Sequence, residues 1–82
     1  MSKDSIPDSA ASRDQLMARV AEDLRRAIKA QGVKQKAIAA RLGVAESEVS
    51  GRLSGQRNLT LGSIHELADL ADLSVVVTFT AN

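Results

Sequence analysis

The stretch QKAIAARLGVAESEVSGRLS, residues 35–54, decides how this chain of 82 residues folds. Within it Ala39, Gly43 and Val49 stand at the spacing of a sharp helix–helix junction. Such a junction needs a small residue where two helices nearly touch and a glycine able to take a positive φ at the turn. It also needs a branched apolar anchor about one and a half helical turns later. Ile38, Leu42 and Val44 flank these three and supply an apolar face for packing against other helices. Any helical hairpin can share part of this pattern, so the surrounding sequence has to carry the rest.

Working outward, Ser12 with Gln15 makes a capping-box signal, and Leu16, Val20, Leu24, Ala27 and Ile28 then recur along one face of a first helix that Gly32 can end. Ala37, Ile38 and Leu42 mark a second helix over roughly 34–42, stopped by Gly43. Val49 and Leu53 mark a third from about Ala45 to Leu53, closed by Ser54-Gly55. Thr60 can cap a fourth, with Leu61, Ile64, Leu67, Ala68 and Ala71 inward and with Asp69 and Asp72 opposing the helix dipole at a soft C-terminus. Residues 1–12, around the single proline Pro7, lack an apolar period and read as a flexible tail. The end of the chain changes period. Leu73, Val75, Val77 and Phe79 alternate with Ser74, Val76, Thr78 and Thr80, a β-branched run that reads as a strand over 73–82. A lone strand cannot satisfy its backbone, so this segment is expected to pair with its copy across a two-fold axis, through Leu73, Val75, Val76, Val77 and Phe79. The alternative is a tail that packs Val75, Val77 and Phe79 over its own helices. The expected architecture is all-α, a four-helix domain over 13–72 with a tail at one end and a dimerisation strand at the other.

Composition narrows the chemistry. Cysteine is absent, which leaves no disulfide, thiolate metal site or cysteine nucleophile. Phe79 is the only aromatic residue, too few for the stacking platforms of single-strand and RNA readers. His65, the only histidine, stands beside Glu66 on a helix and reads as a surface residue, so no catalytic residue, cofactor or metal is expected. No apolar run approaches the roughly 20 residues of a membrane span, and Met1-Ser2-Lys3-Asp4 does not begin a signal peptide, so a cytoplasmic, soluble chain is expected. The net charge of +1 hides a polarised distribution. Residues 24–57 hold Arg25, Arg26, Lys29, Lys34, Lys36, Arg41, Arg52 and Arg57 against Glu46 and Glu48 alone, and both flanks are acidic. A basic centre suits a polyanionic partner, although a solvated basic face is also common.

The segment Gln35 to Val44 and the later Leu53-Ser54-Gly55-Gln56-Arg57-Asn58-Leu59-Thr60-Leu61 resemble the signature stretches of the lambda-repressor-like helix-turn-helix family, typified by phage Cro and Xre regulators. The resemblance covers residues 14 to about 73. It implies that helix three enters the major groove of double-stranded DNA, with Ala45, Glu46, Ser47, Ser50 and Gly51 toward base edges. Ser47 would bond in either direction and Glu46 would accept from a cytosine amino group. Ala45 departs from the pattern, because a serine or threonine there would cap helix three, and Arg52 stands where an apolar residue is usual. Phosphate contacts are expected from Lys34, Gln35, Lys36, Arg41, Arg52, Gln56, Arg57 and Asn58, around the start of helix two and the loop after helix three. The implied function is a dimeric transcriptional repressor on an inverted repeat. The alternatives are an antitoxin or adaptor that binds a toxin or other protein and uses DNA for autoregulation, and a helical dimerisation module without DNA binding.

Overall fold

The computed structural model describes residues 9–55 and 59–81. Four helices follow one another: α1 (Ser9–Ala30), α2 (Gln35–Leu42), α3 (Glu46–Leu53) and α4 (Leu61–Asp69). Three of them end in the same way, with a residue in the left-handed region followed by an apolar residue. After α1, Gly32 has φ 74° and the Val33 N–H donates to Ile28 O at 3.3 Å. After α2, Gly43 has φ 69° and the Val44 N–H donates to Ala39 O at 3.1 Å. After α4, Asp72 has φ 58° and the Leu73 N–H donates to Ala68 O at 2.9 Å. This six-to-one closure satisfies carbonyls that a helix end would leave open, and the apolar residue beyond it turns inward. Val33, Val44 and Leu73 all pack against the core. The expected soft end of α4 is therefore a closed one, with an aspartate where the other two helices use glycine.

The start of α4 is capped as its sequence suggests, the Ser63 N–H donating to Thr60 Oγ1 at 3.0 Å. The start of α1 is not. The helix begins at Ser9, so Ser12 lies inside it and forms no capping box. Nothing in Ser-Ala-Ala-Ser breaks a helix, and the first helix simply extends through the proposed boundary.

Leu24, Ile28, Ile38, Ala39, Val49, Leu53, Leu67, Ala68 and Ala71 form one buried core. α2 packs on α3, and α3 and α4 pack on α1. The Gln31 Nε2 donates to Ala71 O at 3.1 Å just beyond the ends of α1 and α4, which ties the C-terminal ends of these two helices together. Gly55, with φ 78°, lies against α1 so closely that a Cβ there would meet Ala18 Cα at 3.3 Å. Three residues expected to face inward do not. Leu16 and Leu61 are 58% and 65% exposed, and Ala37 is exposed on α2. α1 is about 33 Å long, whereas helices of eight or nine residues reach only about 12 to 14 Å. Leu16 lies on the overhang that the short helices cannot cover, and Leu61 stands at the first position of α4, a turn before Ile64.

The strand expected over 73–82 is not formed in the single chain. Residues 73–81 carry no regular structure, and no strand occurs among the described residues. A strand exists only through its ladder, and among the described residues no second strand stands beside this one. Leu73 packs on the core, while Val75, Val76, Val77 and Phe79 are exposed.

Urea unfolding should separate these positions. Leu67→Ala, at a side chain with no exposure, is expected to cost about 2–5 kcal/mol, and Leu16→Ala under about 0.5 kcal/mol. Asp72→Gly should stabilise by about 0.5–1 kcal/mol, because it relieves a left-handed aspartate and removes an acid from a helix C-terminus.

Candidate nucleic-acid interface

The turn at Gly43 presents α3 with one face inward and one outward. Val49 and Leu53 point into the core, at 0% and 1% exposure. Glu46, Ser47 and Ser50 are exposed, and Ser54 continues the line of Ser47 and Ser50 one turn on, its hydroxyl donating to Gly51 O at 2.9 Å. Glu48, Gly51 and Arg52 are half-buried at the boundary. Of the residues expected to meet bases, Ala45, Glu46, Ser47 and Ser50 thus share an open surface, while Gly51 lies at its edge. Ala45 precedes α3 in extended backbone and no side chain caps the helix. The outer face offers hydroxyls that donate or accept and one carboxylate that accepts, a set able to bond base edges.

The cations are arranged around this face. Lys34 precedes α2 in extended backbone, again without a side-chain cap, so the first N–H groups of α2 remain open to an anion. Lys36 and Arg41 are exposed on α2, and Gln35 is half-buried. A cleft of about 320 Å³ brings Arg25 and Lys29 of α1 together with Lys34, Gln35 and Glu46 over a floor of Ile28 and Val33. Sequence reasoning placed Lys34, Gln35 and Glu46 separately and did not nominate Arg25 and Lys29. Their spacing of four along α1 put them on one face, but only the packing of α1 beneath the α2 start brings that face to the interface.

Arg25 is already engaged. Its Nη2 and Nε donate to Glu22 at 2.7 and 3.0 Å, and Arg26 Nε donates to the same carboxylate at 2.9 Å. The Arg25 hydrogen bonds, opposed by desolvation and then aided by the Arg26 hydrogen bond, hold the Glu22 carboxyl below its ordinary value, and Glu22 raises Arg25. Arg52, half-buried, lies 3.6 Å from Glu48 and 4.0 Å from Glu66, linking α3 to α4. Its charge is balanced within the fold, whereas among the described residues Lys34, Lys36 and Arg41 form no ion pair. Gln56, Arg57 and Asn58 lie outside the described residues. His65 and Glu66 are exposed on α4. No helix among the described residues is long and apolar enough to cross a membrane.

A family model for helix-turn-helix proteins matches residues 24–77, from the middle of α1 into the C-terminal run. No curated protein and no solved structure matches the chain significantly.

The Glu22 pairing has a definite pH signature. A carboxyl held below its ordinary value supports the folded chain fully above that value, and the support is lost as pH falls through the lowered one. Glu22→Gln is therefore expected to flatten the acid limb of the stability profile, read as urea midpoints across the acid range, while leaving the profile near neutrality unchanged in shape.

Proposed function

This chain belongs to the lambda-repressor-like helix-turn-helix family, which is one of DNA-binding regulators of transcription, and from that premise we propose that it is a dimeric, sequence-specific repressor of an inverted repeat. The observation that supports this most is the open line Glu46, Ser47 and Ser50 on a helix whose opposite side, Val49 and Leu53, is held rigidly in the core. A reading head needs both properties, since side chains on a loosely held helix lose the geometry that discriminates bases.

In this reading α3 enters the major groove by its N-terminal end. Ser47 and Ser50 bond base edges, Glu46 accepts from a cytosine amino group, and Ala45 and Gly51 allow close approach. Lys34, Gln35 and Lys36 meet phosphates beside the open start of α2, Arg41 meets one from its last turn, and Gln56, Arg57 and Asn58 follow α3. Arg52 contributes little to phosphate binding, because a phosphate has to compete with Glu48 and Glu66 for it. Two copies set their α3 helices in successive major grooves about 34 Å apart, and occupancy of the site blocks the promoter.

A second reading draws on the exposure of Val76 and Phe79, at 82% and 93%. An uncovered apolar run could hold a partner protein such as a toxin, with DNA binding left for autoregulation.

The repressor reading is tested by a selection from random double-stranded DNA at near-physiological salt. Enrichment of an inverted repeat with half-sites about 10 base pairs apart is the expected result, and no enrichment by folded protein would overturn the repressor reading. With Lys34, Lys36, Arg41 and Arg57 on phosphates, log affinity should fall against log salt with a slope on the order of −4 per subunit, and Lys34→Ala should reduce that slope by about 1.

A further inference from the structure

Arg52 is the one cation of α3, and it is held differently from the cations around the start of α2. Its side chain is 25% exposed, on the flank of α3 that faces α4. Nε lies 3.6 Å from Glu48 Oε1 and Nη1 lies 4.0 Å from Glu66 Oε1, so two carboxylates meet one guanidinium. Their sum is one negative charge, beside the helix that carries Ser47 and Ser50. Glu48 stands four residues before Arg52, the ordinary pairing of a helix surface. Glu66 comes from the second turn of α4 and reaches Arg52 only through the packing of the fold.

The contact to Glu66 is loose. A charge-assisted N–H···O bond closes to about 2.7–2.9 Å, and this pair stands well beyond that. The Glu66 side chain is 56% exposed, so its carboxylate can part from Arg52 without being left buried and unpaired. A guanidinium takes a carboxylate or a phosphate through the same planar fork of donors. Arg52 therefore stands between two exchangeable acceptors, one inside the chain and one on DNA.

We propose that Glu66 is an intramolecular competitor of DNA phosphate for Arg52, and that it thereby limits how tightly the domain holds duplex DNA of any sequence. The proposal rests on the DNA-binding reading and brings into it a residue of α4. Among the described residues Lys34, Lys36 and Arg41 have no acid to hold them, so they meet phosphates unopposed. Arg52 stays shared with Glu66, and the chain binds as though it had one phosphate contact fewer. Because phosphates carry no sequence information, the restraint weakens binding to every duplex alike and leaves the choice of bases to Glu46, Ser47 and Ser50. A domain that holds unrelated DNA less tightly also leaves it sooner, which shortens its residence away from its own site.

The test is a titration of a labelled random-sequence duplex with the full chain at several salt concentrations. Glu66→Gln keeps the shape of an exposed side chain, and helix content and the urea midpoint verify that the variant is folded. It should tighten binding by about two- to fivefold per subunit, the range of an exposed ion pair, and steepen the log–log salt slope by about 1. Arg52→Gln, added to Glu66→Gln, should cancel that gain. Asp69→Asn removes an equal charge from an exposed position one turn along α4 and should leave the salt slope as in the wild-type chain. A Glu66→Gln chain that binds no tighter, a gain that survives Arg52→Gln, or a gain and slope matched by Asp69→Asn would each overturn the proposal. The bases selected from random DNA should be the same for Glu66→Gln and wild type, and a changed preference would overturn it too. Failure of the DNA reading is distinguishable. A folded wild-type chain that binds no duplex at low salt removes that reading and the competitor with it, whereas wild-type binding that Glu66→Gln leaves unchanged removes the competitor alone.

Discussion

The left-handed turn at Gly43 governs where the outer face of α3 points. The Ala39 carbonyl accepts from both Gly43 N–H and Val44 N–H, which ties the end of α2 to the start of the turn. Ala39 is small enough to be buried at that crossing and Val49 is fully buried one helix later, so the angle between α2 and α3 is set at both ends. Once that angle is set, Ser47 and Ser50 have one direction available to them. A side chain substituted at Gly43 would meet no atom, so its requirement is for the backbone conformation rather than for space.

The rest of the domain solves a problem of size. Helices of eight or nine residues are marginal alone in water and depend on tertiary packing. Here the core is a single cluster, and the chain gains extra buried apolar surface by closing three helices so that Val33, Val44 and Leu73 turn back onto it. The third closure forces an aspartate into the left-handed region and leads the chain out of α4 into the C-terminal run, whose Val76 and Phe79 are left exposed. The same local solution that finishes α4 thus creates the uncovered apolar edge.

Charge is divided between two tasks. Glu22 gathers Arg25 and Arg26 on the side of α1, and Glu48 with Glu66 holds Arg52 between α3 and α4. Lys29, Lys34 and Lys36 are left at or near the α2 start, where uncapped N–H groups add to their field, and Arg41 is left exposed in the last turn of α2. A basic segment in the sequence is therefore not a uniform basic surface, because part of its charge is spent within the fold.

The sequence by itself determined what depends on near neighbours. The Ala39, Gly43 and Val49 spacing, the end of α2 at Gly43, the Thr60 cap and the inward Leu24, Ile28, Leu53 and Leu67 follow from local backbone preference and helical period. Tertiary structure alone decided the rest. Leu16 and Leu61 match the period of their helices but find nothing opposite them, since periodicity names a face and not the length of the surface that covers it. The meeting of Arg25 and Lys29 with Lys34 and Glu46, and the pairing of Arg52 with Glu66, arise between helices distant in sequence. The C-terminal run makes the distinction sharpest, because β-branched alternation expresses a preference for extended backbone whereas a strand also needs a partner, and hydrogen bonds to a partner are not encoded in any one segment.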